Sequence, residues 1–163
     1  MKQLKFNGEM IDAILAGTKT QTRRPIKPQP QLDEQKLSQM GAIAEGFTLA
    51  EVVNGAWQAG FIDVGCPYGE FGDITNFTDK DGNIKGRLEI TDVRVERLQD
   101  ISRKDAIAEG GPPSHTSIDA VSQQFGFPDF SRSWFAQTWW SIYDKESWAA
   151  NPWVWVIEFR RIE

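Results

Sequence analysis

The chain has very few of the side chains from which disulfide frameworks and metal sites are built. Its 163 residues include one cysteine, Cys66, and one histidine, His115. A single cysteine excludes an internal disulfide, and the two residues together cannot make a zinc site of cysteines and histidines. Phosphate-binding and dinucleotide-binding loop motifs are missing as well. The sequence therefore predicts no metal and no cofactor, and its cysteine usage favours the reducing cytoplasm.

Long apolar runs and an excess of positive charge are also missing. Residues 1–6 lack the apolar core of a signal peptide, and no window approaches the length of a membrane span, so we expect no membrane association. The formal net charge is −5 and the pI is about 5.0. Broad binding to duplex nucleic acid needs a basic face and is disfavoured. A small basic pocket remains compatible with this composition.

The hydrophobic pattern predicts more strands than helices in a single domain spanning residues 1–163. With 40% hydrophobic residues the chain can form a real core. Strands are predicted over residues 2–6, 74–78, 84–98 and 152–162, the third with a bulge. Asn54-Gly55 predicts a hairpin turn between the strands 47–53 and 57–62. Without regular βαβ alternation, this pattern indicates an α+β domain around a mostly antiparallel sheet or small barrel.

Capping residues set the limits of the predicted helices. Asn7 caps a helix that runs to Ala16 and ends at Gly17, and Ser102 caps a short helix that ends at Glu109. Two more helices are predicted over residues 117–125 and 131–143. The proline-rich, polar segment at about 25–46 is predicted to be an insertion or mobile loop.

A cluster of reactive and charged side chains follows the first predicted helix. Residues 17–24 read Gly-Thr-Lys-Thr-Gln-Thr-Arg-Arg. Lys19 could place an amine beside the Thr22 hydroxyl and activate it as a nucleophile. Residues three apart in a regular strand face opposite sides, so this convergence requires a bend. Arg23 and Arg24 add planar donors for an anionic or nucleobase ligand. An exposed charged strand is the alternative interpretation.

Glu109 is a second candidate because of its position in the last turn of a predicted helix. A carboxylate there faces the negative end of the helix dipole, which disfavours the ionised form unless a cation compensates. That environment suits a proton shuttle, although an exposed carboxylate at a helix end is equally compatible with the sequence. His115 lies in a proline-rich loop with no serine-nucleophile motif around it, so a hydrolase triad is not predicted.

The tryptophans are concentrated near the C-terminus. Six of the seven lie between positions 134 and 155. Such side chains could stack on nucleobases, or form an exposed apolar surface for a protein partner. We expect most of them to pack a helix against the last strand, because large aromatic side chains dominate protein cores.

Four sequence features together resemble the ASCH domain, a branch of the PUA-like β-barrel superfamily. They are the segment Ile14–Arg24, the pair Gly72-Asp73 before a strand, the helix ending in Glu109, and the final strand Trp155–Phe159. The resemblance implies an α+β, PUA-like small and mostly antiparallel β-barrel with flanking helices. Shorter stretches, including Cys66–Gly69, are similar to ASCH-related proteins of bacteriophages and prophages. Unlike those proteins, the chain has no aromatic followed by an arginine-glutamate pair after Gly72-Asp73.

The resemblance also implies a function. ASCH domains are associated with RNA or modified nucleosides, and one bacterial branch hydrolyses the amide of N4-acetylcytidine. The catalytic lysine, threonine and glutamate of that branch fall on Lys19, Thr22 and Glu109. Thr22 would attack the acetyl carbonyl, Lys19 would take or polarise its proton, and Glu109 would pass a proton to the leaving amine. Arg24 matches the family arginine and, with Arg23 beside it, is the expected ligand contact.

Two other functions are compatible with the same sequence. One is a non-catalytic RNA-binding module, in which the cationic pocket only binds a base. The other is a phage or prophage accessory protein that recognises a host protein through its tryptophan-rich C-terminal region.

Overall fold

A computed structural model describes residues 2–29, 54, 57, 65–113 and 116–163. The strands with defined bounds are β1 (Leu4–Lys5), β2 (Gln21–Pro25), β3 (Ile74–Thr78), β4 (Ile84–Arg97) and β5 (Trp153–Arg161). The helices are α1 (Gly8–Ala16), α2 (Arg103–Ala108), α3 (Thr116–Gln124), α4 (Phe130–Ile142) and α5 (Lys145–Ala150), and a 3-10 turn covers Leu98–Asp100. The predicted α+β class is confirmed.

The five strands form one sheet whose two edges come together. The strand order is β1-β3-β4-β5-β2, with β1 parallel to β3 and every other neighbouring pair antiparallel. Although β1 and β2 are at opposite ends of this order, Arg24 Nη2 on β2 donates a hydrogen bond of 2.7 Å to the Lys5 carbonyl on β1. The sheet must therefore curl strongly, which is consistent with the predicted PUA-like fold.

Strand β5 is buried on both faces and divides the core in two. Alternate side chains of a strand point to opposite faces. Trp155 and Ile157 accordingly pack inside the curled sheet, whereas Val154 and Val156 pack against α2 and α4. The inner core also includes Phe6, Phe77, Leu88, Ile90 and Phe159, and the outer core includes Leu98, Ala106, Phe135 and Trp139. Burial on both sides explains the continuous apolar run in the sequence of β5.

Local capping positions the chain entering β2 as predicted. Asn7 Oδ1 accepts a hydrogen bond of 2.9 Å from the Met10 amide, which caps α1. Gly17 has φ of 81° and ends the helix in the left-handed conformation. The chain therefore turns back sharply just before Lys19.

The hairpin between β3 and β4 and the cap of α2 also agree with the sequence predictions. Asp79 Oδ1 accepts from the Asn83 amide at 2.9 Å within the turn, and the pairing of β4 with β5 shifts between Ile90 and Asp92, where a bulge was expected. Ser102 Oγ caps α2 by accepting from the Asp105 amide at 3.0 Å. Glu109 is the C-cap residue of that helix.

The predicted hairpin around Asn54-Gly55 is wrong at the two residues where it can be compared. Asn54 and Trp57 both have helical backbone. Asn54 Oδ1 accepts a hydrogen bond of 2.9 Å from the Val95 amide, and the Trp57 ring packs 4.8 Å from that of Trp155, so tertiary contacts outweigh local turn preference. The rest of residues 47–62 lies outside the described residues, as does the predicted insertion beyond residue 29.

Helix α5 and the parallel pairing of β1 with β3 were not predicted. Asp144 Oδ1 caps α5 by accepting from the Ser147 amide at 2.6 Å, and Asn151 ends the helix in the left-handed conformation.

In the described ranges, none of the helices combines the length and apolar character needed to cross a membrane.

We expect Gly86→Ala to destabilise the fold, because the backbone of β4 lies so close to Glu163 and Phe77 that there is no room for a Cβ atom. A Cβ atom at Gly86 would lie 2.2 Å from the Glu163 carbonyl oxygen and 2.7 Å from Phe77 Cε1. The free energy of unfolding, measured by urea denaturation, should fall by about 1–3 kcal/mol. Gly8→Ala is the matched control, because its Cβ would enter open space. Equal losses in the two variants would contradict the role of close packing at Gly86.

Candidate functional site

Lys19 is fully enclosed and all three of its ammonium hydrogens have acceptors. Its side chain amine donates to the Gln21 carbonyl at 2.8 Å, the Glu109 carbonyl at 2.9 Å and Glu109 Oε2 at 2.7 Å. The residue is 2% exposed and Glu109 is 5% exposed. Two of the residues predicted to be catalytic, 90 positions apart in the chain, thus form a buried ion pair.

The backbone departs from regular strand geometry between Gly17 and β2, and this bend directs Lys19 inward. Lys19 forms an isolated antiparallel bridge with Glu109 before the β2 ladder starts at Gln21. The Thr20 amide continues the contact with a hydrogen bond of 2.8 Å to the Ala108 carbonyl. The end of α2 is therefore fastened to the chain entering β2.

Thr22 and Arg24 share one face of β2, toward the inside of the curled sheet. Arg24 Nε donates to Thr22 Oγ1 at 3.2 Å, and the Thr22 side chain is buried. The Arg24 guanidinium lies 4.9 Å from the centre of the Phe6 ring, and the Lys19 amine lies 5.7 Å from the same ring. Lys19 and Thr22 do not hydrogen-bond to each other, but both flank the space in front of Phe6.

Arg23 projects from the opposite face of β2 and is held by internal partners. Its Nη2 pairs with Glu96 at 2.8 Å and with Asp105 at 3.3 Å, and its Nη1 donates to the Gln21 side chain. Nη1 also lies 3.9 Å from Glu109 Oε1. The Arg23 guanidinium is therefore occupied by side chains of the protein itself, although Arg23 was predicted to contact a ligand. Of the two arginines, Arg24 is the one whose guanidinium lies over aromatic rings inside the curled sheet, those of Phe6 and Tyr68.

A cavity of about 430 Å³ is lined by four of the five predicted site residues, Thr22, Arg23, Arg24 and Glu109. Lys19 is not among the lining residues and reaches the cavity wall only through its contact with Glu109. Aromatic side chains make up much of the remaining wall: Phe6, Trp134, Phe135, Trp139 and Tyr143. The Tyr143 and Trp139 rings are stacked with centres 4.2 Å apart. The cavity therefore combines flat apolar surfaces with a few polar and charged groups, as small-molecule sites do.

Burial and neighbouring charges shift the pKa values of two groups at this site, Lys19 and Tyr143. Desolvation by burial lowers the pKa of Lys19, the Glu109 carboxylate opposes that shift, and the positive charges of Arg24 and Arg23 add to it. Burial also raises the pKa of Tyr143. Glu109 Oε2 is held by Lys19, whereas Oε1 has no hydrogen-bond partner among the described residues and lies 3.9 Å from Arg23 Nη1.

The aromatic lining and two lysines at the cavity were not predicted from the sequence. Lys5 ends the two-residue strand β1 and Phe6 follows it, Lys80 lies in a hairpin turn, and Trp134 and Tyr143 lie on or just after α4. Helix α4 has only a weak amphipathic pattern, so the sequence does not indicate which of its faces lines the cavity.

In the described part of the chain no group of histidine, cysteine or acidic residues could hold a metal, and His115 lies outside that part.

The tryptophans serve mainly in the core, as expected. Trp139, Trp153 and Trp155 are buried, and Trp134, Trp140 and Trp148 are half-buried. None of these side chains is among the exposed large hydrophobic residues. The tryptophan-rich region therefore gives no exposed surface of the kind on which a protein-binding role was based.

Comparison with known proteins gave matches only among solved structures. No protein-family model matches the chain, and no curated protein sequence does. An ASCH domain from Lactobacillus crispatus is 15% identical, with a TM-score of 0.41 over 93% of this chain and 69% of that one. A DUF984-family protein from Enterococcus faecalis is 12% identical, with a TM-score of 0.47 over 99% of this chain and 80% of that one. Similarity at this level does not extend to function.

Removing one partner of the buried ion pair should destabilise the protein strongly. Glu109→Gln leaves the Lys19 charge without its counter-ion, and the free energy of unfolding should fall by about 3–5 kcal/mol. The double variant Lys19→Met with Glu109→Gln should regain part of that loss, because no isolated charge remains. The control is Glu89→Gln, which breaks the exposed pair with Arg160 at 3.0 Å and should cost less than about 1 kcal/mol. Similar losses in Glu109→Gln and Glu89→Gln, measured by urea denaturation, would contradict the interpretation.

The amine of Lys19 should titrate below the ordinary lysine value of 10.5. Between the lowered folded-state pKa and 10.5 the unfolded chain binds more protons, so this group makes stability rise with pH across that window. NMR titration of lysine-labelled protein measures the pKa directly. Arg24→Gln should raise it, because a nearby positive charge is removed. A Lys19 pKa at or above 10.5 would contradict the dominance of burial.

Proposed function

We propose that the cavity binds the base of a modified nucleoside or of an RNA strand, and that the protein hydrolyses an acyl amide on that base, as in N4-acetylcytidine. The observation that carries the proposal is the Glu109 carboxylate, paired with the buried Lys19, at the wall of a cavity that Thr22, Arg24 and aromatic rings also line. A carboxylate and a hydroxyl thus reach one site suited to a flat ligand, and the Lys19 amine contacts that carboxylate without lining the cavity itself.

Binding of a base is supported by the size and lining of the cavity. A volume of about 430 Å³ lies in the range typical of small-molecule sites. The half-buried Tyr143 ring, supported from behind by the buried Trp139 ring, is an aromatic face of the kind that accepts a planar base. Arg24 uses Nε for Thr22 and Nη2 for the Lys5 carbonyl, and its Nη1 has no hydrogen bond within the described residues. That nitrogen can donate to a carbonyl group of the base or of the acyl substituent.

The Thr22 hydroxyl accepts a hydrogen bond from Arg24 and keeps its own proton for donation. Arg24 Nε–H occupies a lone pair of Oγ1, which leaves the hydroxyl hydrogen free to approach a base. Oγ1 would form a bond to the acyl carbon while its proton passes to the Lys19–Glu109 pair. Burial lowers the pKa of Lys19, which favours the neutral amine, the form that can accept a proton, more than in an ordinary lysine.

The remaining steps return the groups to their initial state. The bond between the acyl carbon and the base nitrogen breaks, and that nitrogen receives the proton through Glu109. Water then attacks the acyl ester on Thr22, which releases the carboxylic acid and restores the hydroxyl. The net change is amide plus water to amine plus acid, and Glu109 Oε1, which has no hydrogen bond within the described residues, is the oxygen proposed for proton transfer.

A non-catalytic RNA-binding module is the second candidate, and one contact favours it. Thr22 Oγ1 hydrogen-bonds to Arg24 and has no hydrogen bond to Lys19 or Glu109. In that case the ion pair would shape the cavity without exchanging protons with a ligand. Binding would weaken with added salt and survive substitution of Thr22.

Thr22→Ala should abolish hydrolysis of N4-acetylcytidine while leaving the fold intact. Loss of the nucleophile should lower kcat/KM by about 10³-fold or more. Release of cytidine, followed by chromatography, measures the rate, and circular dichroism checks the fold. Thr20→Ala is the matched control, because this threonine is two residues away and its side chain is exposed.

The same assay separates the two candidates. Activity in the wild type that persists in Thr22→Ala would exclude Thr22 as the nucleophile. No hydrolysis by the wild type, together with salt-dependent binding of a single-stranded RNA, would favour the binding module.

A further inference from the structure

The charged groups that line the cavity have the opposite sign to the protein as a whole. The chain carries a formal net charge of −5, yet the described residues of the lining include the cations Lys5, Arg23, Arg24 and Lys80 and one anion, Glu109. Glu109 is already paired with Lys19, and Arg23 with Glu96 and Asp105. The positive charge that remains for a ligand belongs to Lys5, Arg24 and Lys80. A cleft of one sign focuses its field on ligands of the other.

The fold brings these three cations together at the cavity rim. Lys5 lies opposite Thr78 in the parallel pairing of β1 with β3, and the Phe6 amide donates to the Thr78 carbonyl at 2.9 Å. Two residues beyond Thr78 the chain reaches Lys80 in the hairpin turn. Arg24 joins from β2 through its hydrogen bond of 2.7 Å to the Lys5 carbonyl.

Neither lysine is neutralised within the described part of the protein. Lys5 and Lys80 have no carboxylate partner there, and both are exposed. Asp79, directly before Lys80, is instead occupied by the Lys85 ammonium at 3.7 Å and by the Asn83 side chain at 3.0 Å. Of the two acidic residues in the turn, Asp79 pairs with Lys85, and Asp81 makes no ion pair with Lys80 in the described part of the protein. Lys80 is thus left for another anion.

We propose that Lys5 and Lys80 form a phosphate subsite at the rim, so that the ligand is a phosphorylated nucleoside rather than a bare one. The inference rests on the proposed function for the presence of a base in the cavity. The base would lie against the aromatic wall, and the phosphate would lie between the two ammonium groups. The shared chemistry is a phosphate oxygen, which belongs either to a terminal monophosphate or to the phosphodiester of an RNA strand. Arg24 lies between the two regions.

Calorimetric titration of the full chain with cytidine, uridine, adenosine and their 5′-monophosphates tests the subsite without requiring catalysis. For the base that fits best, the monophosphate should bind about tenfold more tightly than the nucleoside, because it adds charged hydrogen bonds from the phosphate to the contacts that the nucleoside already makes. In the variant Lys5→Met with Lys80→Met this ratio should fall close to one. Lys85→Met should keep the wild-type ratio, because Lys85 does not line the cavity.

A dinucleoside monophosphate of the same base distinguishes the two phosphate sources. If it gains as much affinity as the terminal monophosphate, the subsite accepts a phosphodiester; if it gains none, the ligand is a free nucleotide. Equal affinity for nucleoside and monophosphate, no binding of any monophosphate, or an unchanged ratio in the double lysine variant would overturn the inference. Hydrolysis of N4-acetylcytidine is measured separately, so failure of the proposed reaction and failure of the subsite give different results.

Discussion

The ion pair between Lys19 and Glu109 is the interaction on which the rest of the site depends. A buried ammonium group is costly unless every hydrogen has an acceptor, and Lys19 meets that condition with two carbonyls and one carboxylate. Because two of the three acceptors come from Glu109, the amine cannot be satisfied unless α2 ends at this place. The pair thus fixes one helix end, the entry to β2 and one wall of the cavity together.

Stability alone does not account for such an arrangement. Replacing a buried ion pair with well-packed apolar side chains is often neutral or favourable, so holding α2 against the sheet does not require charge. The surrounding ion pairs are also more elaborate than attachment needs: Arg23 links Glu96 and Asp105, and Arg94 reaches both. These groups keep the carboxylate of Glu109 beside positive charge on two sides. The proposed function, which needs a site that handles protons or anions, would account for this concentration of charge.

Local chemistry in the sequence is enough to predict much of the fold, but little of the cavity. Asn7, Gly17 and Ser102 mark helix limits because their effects depend on neighbours within four residues. The pairing of Lys19 with Glu109 spans 90 residues and was predicted only through the resemblance to ASCH domains. The aromatic wall depends on how α4 packs against the curled sheet, and Asn54 shows how one long-range hydrogen bond can override a strong turn signal.

Strand β2 separates two arginines that are adjacent in sequence. Because side chains alternate across a strand, Arg23 enters the ion pairs beside α2 while Arg24 faces Phe6 and the cavity. One arginine supports the carboxylate from behind, and the other offers donors to a ligand in front. Thr22 lies on the same face as Arg24, so the hydroxyl proposed as nucleophile and the proposed ligand contact are coupled by the hydrogen bond between them. A ligand that draws Arg24 toward an oxyanion would therefore also change the environment of the Thr22 hydroxyl, and the proposed recognition and the proposed chemistry would be linked through this hydrogen bond.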